Sequence, residues 1–483
     1  MEFLPNLPLK IPKQILDATS GNNLSSVYSP YDKQLLANIE TASQEDMAKA
    51  LSNALEAKQK IGKMSAFAKA EILNKVALLV ENKLGEFAQL IALEGGKPLK
   101  DALVEAKRAV ITLRTCAREI QNLVSDQIRL DLNDNPNRYH NFCKYEPIGI
   151  VLAISAFNHP LNLIAHQLGT SFAAGNCTII KPASQTPICC SKLVELFYEA
   201  GADKRAISVI NCKASEIEFL VKSTQINYIS FIGSVEVGWN VRRIAAKGTR
   251  IGLELGGIAV AVVDKDVDLQ NAVTSITKGG FYHAGQVCVS SQLVYVNKDI
   301  AETFRISLLT EVQKLVTGNP INKDTDIGPI INQSEKMRIV DLIENAIDCG
   351  ANYLLQGKID ESTIAPTILM NVPENSKIMS NEVFGPVVCL IEYSDLDKVI
   401  EKVNTMEFAF QTSIYSRNIN TCLHYADNIY SKAVLINEST AFRVDWMPFG
   451  GLKHSGLGIG GVLNAIKEMS YEKLVIMKQL KEE

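Results

Sequence analysis

The chain has 483 residues, of which 47% are apolar and 21% are charged, and its formal net charge is −4. This composition is typical of a soluble globular protein with about three structural units. No basic cluster stands out and no apolar run approaches the ~18 residues of a membrane span, so neither nucleic acid nor a membrane is an expected partner. The N-terminus, MEFLPNLPLKIPKQ, does not resemble a signal peptide, which predicts a cytoplasmic protein.

Residues 42–125 are predicted to be mostly helical. ASQEDMAKALSNALEAKQKIG and AKAEILNKVALLVENKLGEFAQLIALEGG both place apolar residues at helical spacing, and Gly95 and Gly96 end the second segment. Residues 126–147 break this pattern. IRLDL and RYHNFCKYE alternate on either side of the turn NDNPN, which predicts a β-hairpin.

From residue 148 onward, strands and helices are predicted to alternate. The strand runs GIVLAISAF, NCTIIKP, AISVINC, INYISFIG and TRIGLELGG are separated by helical segments, and a second set of strands begins at residue 259. Repeated β–α units imply mostly parallel sheets with helices on both faces, so the predicted fold class is α/β. A last strand is predicted at 472–480, far along the chain from its own sheet.

Polar residues lie at the ends of several predicted strands, where open parallel sheets bind their ligands. Asn158, Lys181 and the pair Gly233–Ser234 follow strands, and Glu254 lies in the last strand of the first series. Gly233 and Ser234 belong to FIGSVEVG, where a helix begins and free N–H groups favour an anion. The motif is not G-x-G-x-x-G, so a plain strand-to-helix turn is favoured over a dinucleotide site when the motif is taken alone.

One of the ten cysteines is a candidate nucleophile. The cysteines form neither a C-x-x-C pair nor a cluster with zinc spacing, so no metal site is expected and most should be buried apolar residues. Cys288 differs, because Gly285 permits a tight turn before it and its neighbours are small. A reactive thiol needs a nearby base, for which Glu254 is a candidate, and Asn158 could donate to an oxyanion. Sequence spacing alone does not bring these residues together, and packing is the commoner role of a single cysteine.

Seven segments taken together resemble the aldehyde dehydrogenase superfamily, in that family's order and spacing. They are AISAFNHPLN, IIKPASQTP, FIGSVEVG, LELGG, GQVC, NEVFGPV and PFGGLKHSGLG. The resemblance implies an enzyme that oxidises an aldehyde to a carboxylic acid with NAD or NADP. It also implies two open, mostly parallel α/β domains, a Rossmann-like cofactor-binding domain at 1–125 and 148–257 and a catalytic domain at 258–446. Segments 126–147 and 467–483 would form an oligomerisation hairpin and tail, giving a homodimer or homotetramer.

The resemblance also assigns roles to individual residues. Cys288 would attack the aldehyde carbon, and Asn158 and the Cys288 N–H would hold the oxyanion. Glu254 would activate the water that hydrolyses the thioester, and its presence favours hydrolysis over transfer to coenzyme A. The residues that the resemblance implies for cofactor binding are Lys181, Ser184, Gly233, Ser234, Gly257, Glu382 and Phe384.

Two positions depart from the pattern of the family. Ser184 stands where many NAD-using relatives have a glutamate that repels a 2′-phosphate, so use of NADP as well as NAD is expected. The C-terminal GIGG at 458–461 stands where relatives often have G-R-E-G, and the role of this loop is left open.

The segments FNHPLNLIAHQ, KPASQTP and STAFRVDWMPFGG are similar to the branch that contains lactaldehyde, phosphonoacetaldehyde and non-phosphorylating glyceraldehyde-3-phosphate dehydrogenases. Arg108, His159 and Arg443 match positions that line the substrate mouth in such relatives, which predicts a small anionic aldehyde. Against this, Val287 stands where relatives often have arginine, and Arg108 could equally be a solvated helix-face charge. The alternatives are a general aliphatic aldehyde dehydrogenase, a cysteine-dependent acyl-transfer or esterase enzyme, and a non-catalytic relative.

Overall fold

Two mostly parallel sheets, each with its own hydrophobic core, dominate the fold. The structure is a computed structural model that describes residues 8–18, 23–125, 127–130 and 139–479. Within these ranges, no helix is both long and apolar enough to cross a lipid bilayer. The α/β fold class predicted from the sequence is confirmed.

A small three-stranded sheet and four helices precede the first large sheet. Their bounds are β1 (Leu9–Ile11), β2 (Leu24–Tyr28), β3 (Leu35–Glu40), α1 (Gln44–Gly62), α2 (Ala66–Glu81), α3 (Leu84–Gly95) and α4 (Leu99–Asn122). The segment predicted as one helix ending at Gly95 is two helices, because the backbone leaves the helical region at Lys83. Gly96 ends α3 in the left-handed conformation, with φ 70°, as its position predicts.

The first large sheet follows the predicted strand–helix alternation. An outlying strand, β4 (Tyr139–Pro147), leads into it. The elements that follow are β5 (Ile150–Ile154), α5 (Asn162–Ala174), β6 (Cys177–Lys181), α6 (Ile188–Glu199), β7 (Ile207–Val209), α7 (Glu218–Val221), β8 (Tyr228–Ile232), α8 (Val235–Ile244) and β9 (Arg250–Glu254). The five strands β9-β8-β5-β6-β7 are parallel, in that order. β5 and β6 are buried over their whole length, as expected for central strands covered on both faces.

The second large sheet holds the remaining α/β units. The elements of this region are β10 (Ala259–Val263), α9 (Leu269–Phe281), β11 (Ser291–Asn297), α10 (Ala301–Val312), α11 (Gln333–Asp348), β12 (Asn352–Leu355), β13 (Thr367–Met370), β14 (Val387–Tyr393), α12 (Leu396–Thr405), β15 (Phe408–Ala409), β16 (Gln411–Tyr415), α13 (Ile419–Asn428) and β17 (Ala433–Ile436). The sheet order is β12-β13-β14-β11-β10-β16-β17, with β12 antiparallel to β13 and the other pairs parallel. A short 3-10 turn lies at Lys377–Met379, and a turn with left-handed residues spans Tyr282–Gly285.

The C-terminal elements return to the first sheet. They are β18 (Leu452–Lys453), β19 (Gly456–Leu457), α14 (Val462–Glu468) and β20 (Ser470–Lys478). β18 pairs with β15, whereas β19 extends the first sheet antiparallel to β9. Val462 and Ile466 of α14 are buried in the core of the first sheet. The end of the chain therefore packs against its first half.

The second arm of the hairpin predicted at 126–147 is present as β4, but its partner differs from the prediction. β4 pairs antiparallel with β20 over its nine residues. Residues 127–130, within the predicted first arm, form no strand, and two hydrogen bonds join the backbone of Ile128 to the side chain of Asn141. Residue 126 and the whole predicted turn NDNPN lie outside the described residues. The predicted tail strand thus pairs within its own chain, which its sequence did not reveal.

Candidate active site

Cys288 follows a sharp turn between α9 and β11. Three consecutive residues, His283, Ala284 and Gly285, have positive φ angles of 51°, 53° and 69°. A Cβ atom at Gly285 would overlap the carbonyl oxygen of Gly385, so glycine is required there. The tight turn expected from Gly285 is present, and it leaves Cys288 half-buried ahead of β11.

Gln286 fixes this turn from the inside. Its side-chain amide donates to the carbonyl oxygens of His283 at 3.3 Å and Pro329 at 3.2 Å, and its Oε1 accepts from the Ile331 N–H at 3.0 Å. The carbonyl oxygen of Gln286 in turn accepts from Asn158 Nδ2 at 2.9 Å. Asn158 follows β5, so this bond joins the first sheet to the cysteine turn.

Three ionisable side chains act on the thiol of Cys288. Burial raises its pKa to about 12, with Glu382 and Glu254 adding to the rise and Arg443 opposing it. The resting thiol is therefore protonated at neutral pH, and it needs a proton acceptor when it attacks a substrate. The structure thus brings Glu254, which the sequence could not place, into the electrostatic environment of Cys288.

Glu254 ends β9, opposite Gly456 of β19. The glycine loop at 458–461, whose role the sequence left open, packs against its half-buried side chain. A Cβ atom at Gly460 would lie 2.5 Å from Glu254 Oε1, and Glu254 lines a cavity together with Gly450. The GIGG loop therefore forms one wall around this carboxylate, and its small residues give the carboxylate room.

Glu382 joins the two sheets. Its Oε1 accepts from the Gly257 N–H at 2.9 Å, and a Cβ atom at Gly256 would overlap its other carboxylate oxygen. Burial raises the pKa of Glu382 to about 7, against the effects of the Gly257 N–H and Arg338. Arg338 also donates to the Glu382 carbonyl oxygen at 3.0 Å. The two glycines of LELGG are thus required by the close approach of Glu382.

Phe384 lies two residues beyond Glu382, in a left-handed conformation with φ 49°. Its ring packs edge-on against Phe157, with 5.8 Å between the ring centroids. Phe157 immediately precedes Asn158, so this contact is a further link between the two sheets beside Cys288.

The carboxyl edge of the first sheet carries groups that suit a dinucleotide. Lys181 is buried at the end of β6, where its ammonium donates to the Pro182 carbonyl oxygen at 3.2 Å and burial lowers its pKa. Ser184 is exposed in the turn that follows. Gly233 leads from β8 to Ser234, the exposed N-cap of α8, whose side chain makes no capping bond in the described structure. The N–H groups at the start of α8 are available to an anion, and together these donors fit a ligand with phosphates and riboses.

Arg443 is a cation close to Cys288 that forms no ion pair within the described part of the chain. Its guanidinium carbon lies 3.7 Å from the ring centroid of Phe449, which belongs to an apolar cluster with Val287 and Phe410 that Cys288 packs against. The Nε of Arg443 is buried and has no hydrogen-bond partner among the described residues. Burial lowers the pKa of Arg443, but a guanidinium remains charged in proteins. Such a group is suited to an anion.

Arg108 and His159 lie in surroundings that the sequence did not indicate. Arg108 donates from Nε at 3.1 Å and from Nη2 at 2.7 Å to the two carboxylate oxygens of Asp445. The guanidinium of Arg108 is therefore hydrogen-bonded within the protein. Arg108 is not the solvated helix-face charge that the sequence also allowed. The ring of His159 lies 6.1 Å from that of Tyr282 and 6.3 Å from that of His283. Burial and nearby cations hold the pKa of His159 well below its usual value, so its ring is neutral.

Sequence reasoning missed Asp445 and the residues of α5 that hold it. Asn162 Nδ2 and His166 Nε2 lie 3.1 Å and 2.9 Å from Asp445 Oδ1. No local pattern could have found this cluster, because Arg108 and Asp445 are 337 positions apart in the chain. The one available signal was an acidic residue two positions beyond Arg443 in STAFRVDWMPFGG.

Two α/β sheets that meet at a cysteine, with an amide donor and carboxylates beside it and an anion-binding helix start on one edge, have the design of a cysteine-dependent, nucleotide-using enzyme. The model of the aldehyde dehydrogenase family matches residues 16–475 of the chain. The chain therefore belongs to the aldehyde dehydrogenase family. This confirms the resemblance and the enzyme class predicted from the sequence, an NAD(P)-dependent aldehyde dehydrogenase.

Curated relatives and solved structures agree with this assignment. The chain is 36% identical over 452 residues to a 3-sulfolactaldehyde dehydrogenase of Priestia aryabhattai, which covers 93% of this chain and 94% of that protein. It is similar to the structure of glyceraldehyde-3-phosphate dehydrogenase from Methanocaldococcus jannaschii complexed with NADP, with a TM-score of 0.91, 33% identity and coverage of 95% of this chain and 100% of that chain. Aldehyde dehydrogenase 21 from Physcomitrella patens, in complex with the reaction product succinate, gives a TM-score of 0.94 at 29% identity, covering 98% and 99%.

Proposed function

We propose that this enzyme oxidises a small aldehyde carrying an anionic group to the corresponding carboxylic acid, through a covalent intermediate on Cys288. The observation that carries the proposal is the convergence on the cysteine turn of Asn158, bonded to the Gln286 carbonyl oxygen at 2.9 Å, and of the charges of Glu254 and Arg443. In this proposal Cys288 is the nucleophile, Asn158 the oxyanion donor, Glu254 the base and Arg443 the cation for the substrate.

The first step is attack by Cys288. Its proton passes to solvent, either directly or through Glu254, the sulfur forms a bond to the aldehyde carbon, and the carbonyl π electrons move to the oxygen. The Asn158 amide and the Cys288 N–H donate to the resulting oxyanion. Because Asn158 is anchored through one amide hydrogen, its other hydrogen is oriented for this task. A donor of this kind contributes about 3 kcal/mol to transition-state stabilisation.

NAD or NADP, when bound, would supply a hydride acceptor beside the hemithioacetal carbon, and loss of a hydride from that carbon would leave a thioester on Cys288. Glu254 then takes a proton from a water molecule whose oxygen attacks the thioester carbon. The sulfur leaves as a thiolate, and the product is the carboxylic acid. Coenzyme A is not needed to complete the cycle.

The residues that would hold the cofactor are Lys181, Ser184, Gly233, Ser234, Gly257, Glu382 and Phe384. Lys181 would bind the adenosine ribose, the N–H groups after Ser234 the pyrophosphate, and Glu382 the nicotinamide ribose. The exposed Ser184 leaves room for a 2′-phosphate, so both NAD and NADP would be used. In this proposal, residues 1–125 and 148–257 bind the cofactor, and residues 258–446 supply Cys288.

An anionic substrate is favoured by Arg443, whose Nε is buried without a partner among the described residues. The names of the similar proteins point the same way, since sulfolactaldehyde carries a sulfonate and succinate is a dicarboxylate product. The second candidate is a general aliphatic aldehyde dehydrogenase. It is favoured by the apolar cluster of Val287, Phe410 and Phe449 beside Cys288.

The protein would work in the cytoplasm as a homodimer or homotetramer. The β4–β20 pair supports assembly, because several of its apolar side chains are exposed in the single chain. These are Phe142, Leu474, Ile476 and Met477. Residues 126–147 and 467–483 would accordingly be the contact region.

The test is an aldehyde panel of lactaldehyde, succinic semialdehyde, propanal and hexanal, each with NAD and NADP, followed by the ultraviolet absorbance of reduced cofactor. Reduced cofactor should appear only when an aldehyde is present. Cys288→Ala should lower the rate at least about 10³-fold, while cofactor binding by fluorescence titration is kept. Cys349→Ala, at the other half-buried cysteine, is the matched control and should keep the wild-type rate.

Substantial oxidation by Cys288→Ala would overturn the role of this cysteine. Ester hydrolysis without any reduced cofactor would select the acyl-transfer alternative. Higher efficiency on hexanal than on succinic semialdehyde would select the general aliphatic enzyme.

A further inference from the structure

Asp445 is a buried carboxylate at the centre of a polar cluster on the loop that also carries Arg443. It accepts hydrogen bonds from Arg108 Nε and Nη2 at 3.1 Å and 2.7 Å, and from Asn162 Nδ2 at 3.1 Å. His166 Nε2 lies 2.9 Å from the same carboxylate. Although burial opposes it, the bonds from His166 and Arg108 hold the pKa of Asp445 well below its ordinary value. Asp445 is therefore an anion at every pH at which the enzyme would work.

The charges of this cluster cancel. Arg108 and Asp445 form a bidentate ion pair in which the carboxylate side chain is 3% exposed, so the pair contributes no net charge to its surroundings. The neighbouring Lys97 is likewise paired with Glu105, and both side chains are fully buried. Neither Arg108 nor Lys97 is thus available to neutralise a substrate.

Arg443 stands apart from these pairs. Two positions before Asp445 on the same loop, it forms no ion pair within the described part of the chain, and its Nε has no partner there. The remaining ionisable groups that act on it are the carboxyl group of Glu254 and the thiol of Cys288. The ring of His159 is neutral and adds no positive charge.

We infer that Asp445 sets the charge of the substrate. By engaging Arg108 it leaves Arg443 as the one arginine beside Cys288 that forms no ion pair among the described residues, so that the site takes aldehydes with a single negative charge, a sulfonate or carboxylate, in preference to dianionic phosphates or phosphonates. This inference rests on the proposed function and narrows its substrate class.

The physical reason is charge balance in a partly buried site. The first negative charge of a substrate meets the guanidinium of Arg443. A second charge on the same head group would find no free cation and would face the carboxylate of Glu254. An unmatched charge in a desolvated site is strongly unfavourable. Asp445 thus acts as a positioning and specificity-determining residue that does not touch the substrate.

The test uses two aldehydes of nearly equal shape, sulfoacetaldehyde and phosphonoacetaldehyde, at an alkaline pH where the phosphonate is fully dianionic. Propanal is the uncharged reference, and succinic semialdehyde is the carboxylate arm. The wild-type enzyme should show a kcat/KM for sulfoacetaldehyde at least about tenfold above that for phosphonoacetaldehyde, carried mainly by KM. Both monoanionic aldehydes should exceed propanal.

Asp445→Asn should leave the charge of Arg108 unpaired. The ratio of kcat/KM for sulfoacetaldehyde to kcat/KM for phosphonoacetaldehyde should then fall about tenfold. Asp203→Asn removes another carboxylate that is paired with an arginine and a lysine, and it should leave the ratio unchanged. The double variant Arg108→Met with Asp445→Asn removes both charges together, so it should keep the wild-type ratio. Thermal melts and circular dichroism establish that each variant is folded.

Equal or better use of phosphonoacetaldehyde by the wild-type enzyme would overturn the inference. A folded Asp445→Asn variant with the wild-type sulfonate-to-phosphonate ratio of kcat/KM would also overturn it. If Asp445→Asn does not fold, the double variant Arg108→Met with Asp445→Asn decides, and a changed ratio in that variant would overturn the inference. A preference for both anionic aldehydes over propanal, without a preference for the sulfonate over the phosphonate, would contradict this inference and leave the proposed function standing. Failure to oxidise any aldehyde would remove both.

Discussion

Asn158 Nδ2 donates to the carbonyl oxygen of Gln286 at 2.9 Å, and this hydrogen bond links the first sheet directly to the turn that carries Cys288. Asn158 is held by the end of β5 in the first sheet, whereas Gln286 belongs to the turn that carries Cys288. The position of the thiol is therefore tied to the sheet whose carboxyl edge is proposed to bind the cofactor. Hydride transfer needs the substrate carbon and the nicotinamide in contact, so a fixed relation between the two sheets is what the proposed reaction requires.

Glu254→Gln should separate the two halves of the proposed reaction. The amide keeps the size of the side chain beside Gly460 but cannot take a proton from water, so thioester hydrolysis should slow by about 10²–10⁴-fold. Stopped-flow measurement should show a burst of reduced cofactor of up to one equivalent per subunit, followed by a slow steady rate. Added hydroxylamine should trap the thioester and restore turnover.

A matched control is Glu392→Gln, at an exposed glutamate paired with Arg305 on the surface. It should behave as wild type. If Glu254→Gln shows no burst and loses both phases equally, then Glu254 acts before or during hydride transfer, and the assigned role is wrong.

Ser184→Glu should reduce the use of NADP selectively. Ser184 is exposed in the turn after β6, and a carboxylate there would repel a 2′-phosphate dianion while it could still accept from a 2′-hydroxyl. We expect the KM for NADP to rise at least about tenfold, with little change in the KM for NAD. Gln185→Glu, at the adjacent exposed position, adds the same charge as a control. An equal loss with both cofactors would place residue 184 away from the 2′ position.

Glu382→Gln should change how stability depends on pH. Burial raises the pKa of Glu382 from 4.5 to about 7, so the folded state holds this proton more tightly than the unfolded state does. The contribution to stability is full below the unfolded pKa and is lost as pH rises through the folded pKa. The quantity to measure is the difference in the free energy of unfolding between wild type and Glu382→Gln. This difference, wild type minus variant, should fall as the pH rises from 4.5 to about 7 and level off above that pH.

Urea titrations across this pH range measure the difference directly. Glu94 is also buried, with its pKa raised to about 7, but it is present in both proteins and its effect cancels. A difference that is constant with pH would show that Glu382 is not protonated in the folded enzyme over this range.

Ile476→Lys should weaken subunit association. Ile476 is 51% exposed on β20, and a lysine would put a charge into the contact that the β4–β20 pair is proposed to form. Light scattering should give the mass of a dimer or tetramer for wild type and a smaller mass for the variant. Phe67→Lys replaces another exposed apolar residue, on α2, and should leave the mass unchanged. A monomeric wild-type protein would contradict the proposed assembly.

The sequence by itself determined the local elements and the family. Apolar runs such as GIVLAISAF and NCTIIKP specify buried parallel strands, because a strand covered by helices on both faces is apolar at every position. Gly285 marked the tight turn before Cys288, since no other residue fits so close to the backbone of Gly385. The ordered motifs led to the aldehyde dehydrogenase family, which the match over residues 16–475 confirms.

Tertiary structure decided everything that depends on partners distant in sequence. The pairing of β4 with β20, the wall that the GIGG loop forms beside Glu254, and the capture of Arg108 by Asp445 have no local signature. Arg108 shows the difference most plainly. Its residue type and position predicted a free cation at a substrate mouth or on a helix surface, and only folding revealed the carboxylate that neutralises it. Periodicity and turn chemistry act between neighbours in the chain, whereas the charge of a site is a sum over side chains that only the folded backbone brings together.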